Sequence, residues 1–435
     1  MYQLEPALHI AQNLINNDGL DMALMMPRQT GKNQIMATIE SLAAIRGSQA
    51  TDTAIITAPT LDPQANISKA RIMDILSKWP ITAAISRANK RGLSVGAYTI
   101  YVTGLDQKAE GMTATRWMHL DEAQDADPET FDRKFRPMTA NTHAPVIMTG
   151  TPWTSSTLLA QTIEALRQEE KRDGRKRVFV PDVAQIMEEV PPWRMHVEEQ
   201  IRRLGREHPI IQTQYLLNTV DTVARLITDA MLEQMRGHYP HQDQATPGQL
   251  YAMTIDPGGS GADPTAVLVA RVHATGALPK YDIARRYTIT QTATTREVLD
   301  QLNHLIDLWQ PSAIAVDTTG LGAPICDMLH HSQITRVTFT PQTKSELGYD
   351  LTAAILTGRI HDHGDATEES AEFERQAAAT IRELKPDGRM TWGAPPPKHD
   401  DHIAALALLP TLDGAAWRSP DAALPYLITA QDPLP

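Results

Sequence analysis

The first part of the sequence alternates apolar runs with amphipathic segments, and this alternation restricts the fold more than any other feature. The apolar runs predict strands at 20–26, 52–59, 97–104, 116–124 and 144–152. Helical periodicity appears between the first three of these runs, at 32–47 and 62–79. Because strands that alternate with helices pair in parallel and carry the helices on their faces, we predict an α/β domain with a mostly parallel sheet.

The first predicted strand leads into a Gly-Lys pair in the stretch "MMPRQTGKNQ". A phosphate-binding loop of the form G-x-x-x-x-G-K-[ST] has Gly where Met26 stands and Ser or Thr where Asn33 stands. The setting after a strand and before a helix is nevertheless the one such a loop needs, because unpaired N–H groups at a helix start bind phosphate oxygens. The candidate nucleotide-binding residues are Arg28, Gln29, Thr30, Gly31, Lys32 and Asn33.

An acidic pair, Asp121 and Glu122, ends the predicted strand "RWMHLDEAQ". At the end of a strand in a nucleotide-binding core, Asp121 is a candidate magnesium ligand and Glu122 a candidate to orient the attacking water. The plain alternative is an acid pair that caps a helix start. The later strand "VIMTGTP" ends in small polar residues, and Thr149, Gly150 and Thr151 are candidates to sense the γ-phosphate.

The second half of the chain has its own order of elements. It predicts three strands, a helix, a strand, a helix, a strand and a last helix, at 251–256, 265–272, 280–289, 295–309, 312–317, 322–331, 334–341 and 399–412. By analogy, this is the order of an RNase H-like fold with a mixed sheet. The polar segment 237–249, rich in Pro, Gly and His, reads as a linker before it.

Aspartates stand at the ends of three of these elements. Asp256 ends the first strand, Asp317 ends the fourth, and Asp400 and Asp401 precede the last helix. Converging carboxylates can hold two Mg²⁺ or Mn²⁺ ions, which activate a water and stabilise the leaving oxygen in phosphodiester cleavage. We favour Asp401 over Asp400 as the metal ligand, and Asp263 is a weaker candidate. Taken singly, each is as readily an ordinary strand-end or cap residue.

Composition says more about the cellular compartment of the protein than about its function. A single cysteine, Cys326, excludes a disulfide framework and suits a reducing cytosol. We read no signal peptide at the N-terminus, and no apolar run is long enough for a transmembrane helix, so no membrane role is expected. The net charge of −12 argues weakly against a protein that coats nucleic acid, but a local basic face remains compatible with it.

These motifs resemble the large terminase subunit of tailed bacteriophages, which joins an N-terminal DNA-translocating ATPase to a C-terminal RNase H-like nuclease. Six segments carry the resemblance in the family's order: "PRQTGKN", "HLDEAQ", "TGTP", "TIDPGG", "AVDTTGLG" and "HDDHIAAL". The resemblance implies that Lys32 and Arg28 bind the phosphates of ATP, that Asp121 holds Mg²⁺ and that Glu122 is catalytic. It implies coupling of hydrolysis to motion at 149–151 and makes the nuclease acids Asp256, Asp317 and Asp401.

The resemblance also implies a domain plan and partners. We predict a P-loop ATPase core, a helical subdomain, a linker, an RNase H-like nuclease and a tail, at 1–157, 158–236, 237–249, 250–413 and 414–435. The expected partners are double-stranded DNA, a small terminase subunit and the portal protein of a procapsid, with the subunits in a ring in the cytoplasm of an infected bacterium. Gln3 is a candidate for adenine recognition.

Two other functions stay compatible with the sequence. One is a different ATPase-linked RNase H-like nuclease or a transposase, although no clear helix-turn-helix is visible for reading a DNA sequence. The other is a non-enzymatic virion scaffold with degenerate motifs, for which Asn33 and the missing first glycine are the best support.

Overall fold

A computed structural model describes residues 1–89, 91–107, 111–258, 264–290, 294–320 and 322–417. The chain forms two compact units. The first unit comprises Met1–Ile201 and Pro209–Thr222, and the second comprises Arg202–His208 and the chain from Val223 onward.

The first unit is built on an eight-stranded sheet of order β3-β4-β5-β2-β6-β7-β1-β8. Its strands are β1 Met22–Met25, β2 Thr53–Ala58, β3 Ser86–Asn89, β4 Gly92–Val95, β5 Tyr98–Gly104, β6 Trp117–Leu120, β7 Val146–Gly150 and β8 Val178–Phe179. Neighbours from β5 through β8 are parallel, and only the pairs β3–β4 and β4–β5 are antiparallel. The mostly parallel sheet and its five predicted strands are confirmed, whereas β3, β4 and β8 have no counterpart among the predicted strands.

Helices cover both faces of this sheet. They are α1 Leu4–Asn16, α2 Lys32–Arg46, α3 Asn66–Ser77, α4 Pro80–Ile85, α5 Pro128–Thr130, α6 Pro137–Ala140, α7 Leu158–Asp173, α8 Val183–Glu189, α9 Pro191–Leu204 and α10 Pro209–Gln214. The end of α9, from Arg202 onward, already belongs to the second unit.

The central strands are apolar on both faces, as parallel strands covered by helices must be. Along β1, Leu24 packs with Ile10 of α1 in one buried cluster. Its neighbour Met25 faces the other way and packs with Leu159 of α7 and Met118 of β6. The sheet is therefore a middle layer buried on both faces, and the polar residues that follow its strands lie at its carboxyl edge.

The second unit contains a six-stranded sheet of order β14-β13-β10-β11-β12-β15 and a three-stranded sheet of order β17-β16-β9. The strands are β9 Val223–Arg225, β10 Leu250–Asp256, β11 Thr265–His273, β12 Lys280–Ile289, β13 Ala313–Asp317, β14 Ile334–Val337, β15 Ile360–His361, β16 Ile381–Leu384 and β17 Met390–Gly393. The first three strands of the large sheet in chain order, β10 to β12, are antiparallel, and the other pairs are parallel. This mixed sheet confirms the predicted fold class.

The helices of the second unit are α11 Asp229–Met235, α12 Thr295–Trp309, α13 Gly322–Asp327, α14 Pro341–Leu356, α15 Glu368–Ala379 and α16 Asp401–Ala407. The predicted order of strands and helices is present, and α14, α15 and the β16–β17 hairpin are inserted before the last helix. That helix stops at Ala407 and continues as a tighter turn, Leu409–Leu412. Across the described ranges, no helix has both the length and the apolar character needed to cross a bilayer.

The predicted linker 237–249 is tied to the second unit by hydrogen bonds. The backbone N–H of Gly237 donates to the carbonyl of Asp362, and that of Gln242 donates to the carbonyl of Ala284. The imidazole of His241 lies 2.7 Å from Asp365. The segment is thus held to the rest of the second unit at several points. The predicted domain limits stay predictions.

Candidate nucleotide and metal sites

The Gly-Lys loop joins β1 to α2, and its backbone is held in a tight shape. Gln29 and Gly31 both have left-handed backbone conformations, with φ of 62° and 98°. A side chain at Gly31 would be strained at this φ, so this position favours glycine. The amide of Met26 donates to the carbonyl of Gly150 at 3.1 Å, which ties the loop to the end of β7. Lys32 and Asn33 then stand at the start of α2, where helix N–H groups are available to an anion.

A buried charged cluster forms where this loop meets the acidic pair. The ammonium of Lys32 lies 2.8 Å from Glu122 and 3.4 Å from Asp121. Burial alone would lower the pKa of Lys32, but the two carboxylates outweigh it and raise that pKa. Burial would likewise raise the pKa of Asp121, yet Lys32 and His119 hold it at about 2. Lys32 and Asp121 are therefore both charged at neutral pH. The fold brings these two residues together from distant positions in the sequence.

Asp121 receives hydrogen bonds on both of its oxygens. Its Oδ1 accepts from the hydroxyl of Thr149 at 2.8 Å and from the backbone N–H of Glu122 at 3.0 Å. Its Oδ2 accepts from the amide of Asn33 at 3.3 Å and from Ser68 at 3.4 Å. Asn33, which replaces the usual hydroxyl residue of the loop, thus lies directly beside the predicted magnesium ligand.

Glu122 is held in place by its backbone and by a residue that the sequence analysis did not single out. It has a left-handed backbone, with φ of 50°, which is uncommon for a residue with a side chain. The amide of Gln124 donates to Glu122 at 2.7 Å, and its carbonyl oxygen accepts from the N–H of Thr151 at 3.1 Å. Gln124 therefore links Glu122 to the predicted coupling segment 149–151. Its position in "HLDEAQ" was a signal available in the sequence.

The remaining loop residues face the surface or the chain's N-terminus. The side chains of Arg28 and Gln29 are exposed, and Thr30 is buried. The carbonyl of Thr30 accepts hydrogen bonds from the hydroxyl of Tyr2 and the amide of Gln3, both at 2.7 Å. Gln3, the candidate for adenine recognition, therefore lies against the loop and supports its backbone. Its role toward adenine stays a prediction.

The second site lies at the edge of the mixed sheet. β10 and β13 run in parallel with Ile255 opposite Val316, so Asp256 and Asp317 emerge side by side at the ends of their strands. The hydroxyl of Thr254 donates to the carbonyl of Ala405 at 2.7 Å and so fastens α16 to β10. This contact brings the start of α16, which carries Asp401, to the same edge.

The electrostatics of Asp256 indicate that the other three acids lie near it. Burial raises its pKa well above the usual range, and Asp317, Asp401 and Asp400 raise it further, in that order. Asp317 also has a raised pKa through burial, although the hydroxyl and the N–H of Thr319 stabilise its ionised form. One oxygen of Asp400 accepts from the backbone N–H of Ala394 at 3.2 Å.

A cation that the sequence analysis missed lies beside these acids. Lys344 of α14 lowers the pKa of both Asp256 and Asp317. Its ammonium lies 4.6 Å from the ring centroid of Trp392, which fixes the side chain against β17. The helix could have been found from its capping pair Thr340 and Pro341, but nothing local in the sequence connects Lys344 to the acids.

The acids fit a divalent cation in their chemistry, since several carboxylates that repel one another are stabilised by a hard cation with oxygen ligands. Among the described residues, however, no three His, Cys, Asp or Glu side chains are arranged as a complete metal site. Asp263 lies outside the described residues. The predicted ligands are thus gathered at one edge, and their assignment to a metal stays a prediction.

No protein-family model matches the sequence, and neither does any curated protein. Two solved crystal forms of the large terminase from a thermophilic bacteriophage resemble the fold over nearly the whole chain. The form in complex with ADP has 14% identity and a TM-score of 0.51, and the alignment covers 94% of this chain and 98% of that one. A second crystal form has 13% identity and a TM-score of 0.50, covering 92% and 97%. The chain therefore has the two-domain fold of a large terminase, as its motifs predicted.

Replacing Asp256 by Asn should stabilise the protein in the absence of divalent metal. Because the pKa of Asp256 is higher in the folded chain than in the unfolded one, its ionisation opposes folding above the unfolded-state pKa, and this destabilisation disappears as the pH falls. Urea unfolding with EDTA should therefore show a higher free energy of unfolding for Asp256→Asn at pH 8, with a smaller gain at pH 5.

The matched control is Asp387→Asn. Burial would raise the pKa of Asp387, but hydrogen bonds from Arg389 outweigh it and lower that pKa, so losing the charge should leave stability unchanged or slightly reduced. A loss of stability in Asp256→Asn at pH 8 would contradict the view that the acids repel one another.

Proposed function

We propose that this protein is the large subunit of a viral DNA-packaging motor. It hydrolyses ATP in the first unit to translocate double-stranded DNA into a procapsid, and it cleaves concatemeric DNA in the second unit by two-metal phosphodiester hydrolysis. The observation that carries the proposal is the buried cluster of Lys32, Asp121 and Glu122 at the Gly-Lys loop. The fold shared with a terminase that binds ADP adds support for a nucleotide in this unit.

In the ATPase site, each member of the cluster has a separate task. The ammonium of Lys32 and the N–H groups that begin α2 bind the outer phosphate oxygens. Glu122, oriented by Gln124, positions and polarises the attacking water. Asp121 and Asn33 would hold Mg²⁺, which neutralises phosphate charge when bound. Arg28, exposed on the loop, is available as a second cation for the phosphates.

In the nuclease site, Asp256, Asp317 and Asp401 would hold the Mg²⁺ or Mn²⁺ ions, with Asp400 next to them. When bound, such ions would supply an activated water and would stabilise the leaving oxygen. Lys344 contributes a fixed positive charge at the same edge, suited to binding the non-bridging oxygens of the DNA phosphate. Without a cation, the acids repel the DNA phosphates, and the positive charge of Lys344 reduces this repulsion.

The partners follow from the same proposal. Double-stranded DNA is the substrate of both units, a small terminase subunit selects it, and the portal protein of the procapsid receives it from a ring of these subunits. The ring works in the cytoplasm of the infected bacterium. A net charge of −12 requires the DNA contacts to be local, since phosphate binding needs clustered cations.

Replacing Glu122 by Gln should abolish ATP hydrolysis and leave nucleotide binding in place. The amide keeps the size of the side chain but cannot polarise water, so kcat should fall at least about 100-fold. The assay is phosphate release by the purified full-length chain, with binding of a fluorescent ATP analogue measured in parallel. Glu129→Gln, a change in the same unit away from the cluster, is the control and should behave as wild type. Wild-type turnover in Glu122→Gln would exclude Glu122 from catalysis.

Plasmid DNA with Mn²⁺ tests the nuclease separately. Asp256→Ala should remove cleavage, and Lys344→Met should slow it by about 100-fold because a charge that stabilises the phosphate is lost. Glu122→Gln should still cleave, and Lys280→Met, which removes an exposed lysine of the second unit, should have no effect. Unchanged cleavage by Asp256→Ala would contradict the nuclease assignment, and failure of wild type in both assays would favour a non-enzymatic scaffold.

A further inference from the structure

A histidine lies in the middle of the central parallel sheet, where apolar residues are the rule. His119 of β6 is 1% exposed, and its two partners, Glu40 of α2 and Thr149 of β7, are 0% exposed. Its Nδ1 lies 2.6 Å from Glu40 Oε1, and its Nε2 lies 2.9 Å from Thr149 Oγ1. The hydroxyl of Thr149 in turn reaches Asp121 at 2.8 Å. Buried polar groups in series like these, which we call the Glu40–Asp121 chain, require a specific reason.

The protons of this chain can be assigned from donor chemistry. The hydroxyl of Thr149 donates to Asp121 Oδ1 at 2.8 Å, so its single hydrogen points to Asp121. The oxygen of Thr149 must then accept from the N–H of His119 Nε2. On the other side of the ring, one proton lies between Nδ1 and Glu40. The N–H of His119 Nε2 and the hydroxyl of Thr149 therefore both donate in the direction of Asp121. The bond from His119 to Thr149 depends on the hydroxyl of Thr149 donating to Asp121.

The chain connects the three elements that carry the candidate ATPase site. Glu40 lies on α2, about two turns after Lys32. His119 precedes the acidic pair on β6, and Thr149 is the first residue of the predicted coupling segment on β7. The contacts outside the sheet, from Asn33 and Ser68, hold the other oxygen of Asp121. The chain thus fixes the one oxygen that faces β7.

We propose that Glu40, His119 and Thr149 are positioning residues that hold Asp121 in its working orientation and couple that orientation to β7. The inference rests on the proposed ATPase function and deepens it. If the Asp121 carboxylate turns or its Oδ1 takes another partner, the Thr149 hydroxyl loses its acceptor and β7 loses this link to the site. A structural change at the bound phosphates is thereby transmitted to residues 149–151, independently of the Gln124 contact with Thr151.

The test compares isosteric changes along the chain with one beside it. Thr149→Val removes the hydroxyl and keeps the shape, and Thr149→Ser restores the hydroxyl. Thr57→Val is the matched control, because Thr57 is 0% exposed on the neighbouring strand β2 and its hydroxyl has no hydrogen-bond partner in the described part of the chain. The readouts are kcat and KM for ATP, magnesium-free affinity for a fluorescent ATP analogue, and the melting temperature.

We expect Thr149→Val to lower kcat by about 10-fold or more, the scale of effect that a small misplacement of a catalytic group produces. Magnesium-free affinity should stay within about twofold of wild type, since Lys32 and the helix start provide that binding. Thr149→Ser should recover most of the rate, and Thr57→Val should keep all of it. As single variants, His119→Gln, and His119→Leu where it folds, should lower kcat. Combined with Thr149→Val, they should lower kcat little further, because the effects of residues in one network are not additive.

Several results would overturn the inference. Wild-type kcat in both Thr149→Val and His119→Gln would do so while leaving the proposed function intact, provided that wild type hydrolyses ATP. A parallel fall of rate, magnesium-free affinity and melting temperature without rescue by Thr149→Ser would show a merely structural network. A wild-type chain that neither binds nor hydrolyses ATP would overturn the proposed function and this inference together.

Discussion

The ion cluster of Lys32 with Asp121 and Glu122 is the interaction on which the first unit depends. A buried ammonium is costly to desolvate, and the two carboxylates at 2.8 and 3.4 Å compensate it. Those carboxylates can reach it only because β6, β7 and β1 are neighbouring parallel strands whose carboxyl ends meet at one edge. The apolar packing on both faces of these strands therefore has a functional consequence: it sets the distances between the charges.

The two sites have opposite electrostatic characters. In the first unit the ammonium of Lys32 keeps the pKa of Asp121 at about 2 and so offsets part of the negative charge of the two carboxylates. In the second unit Asp256 has a raised pKa because burial and three other aspartates oppose its charge, and Lys344 offsets only part of this. Such a site gains stability from added positive charge, which is the property expected of carboxylates that bind divalent metal.

Sequence patterns predicted the elements that carry the motifs because those patterns are local. The apolar runs predicted β1, β2, β5, β6 and β7, and the order of elements in the second unit indicated the mixed sheet by analogy with the RNase H-like fold. The contacts missed join residues far apart in the chain, such as Glu40 with His119 and Lys344 with Asp256. The exposed strand β3 has no apolar run to reveal it, and β8 is too short.

Binding of ATP to a Lys32→Met variant tests the central claim most directly. Calorimetric titration of the full-length protein should show that wild type binds Mg-ATP and that Lys32→Met weakens binding at least about 10-fold, since a buried cation for the phosphates is removed. Lys78→Met, an exposed change on the same unit, should bind as wild type, and circular dichroism should show all three proteins folded. Equal affinity in wild type and a folded Lys32→Met would contradict the assignment of this cluster as a nucleotide site.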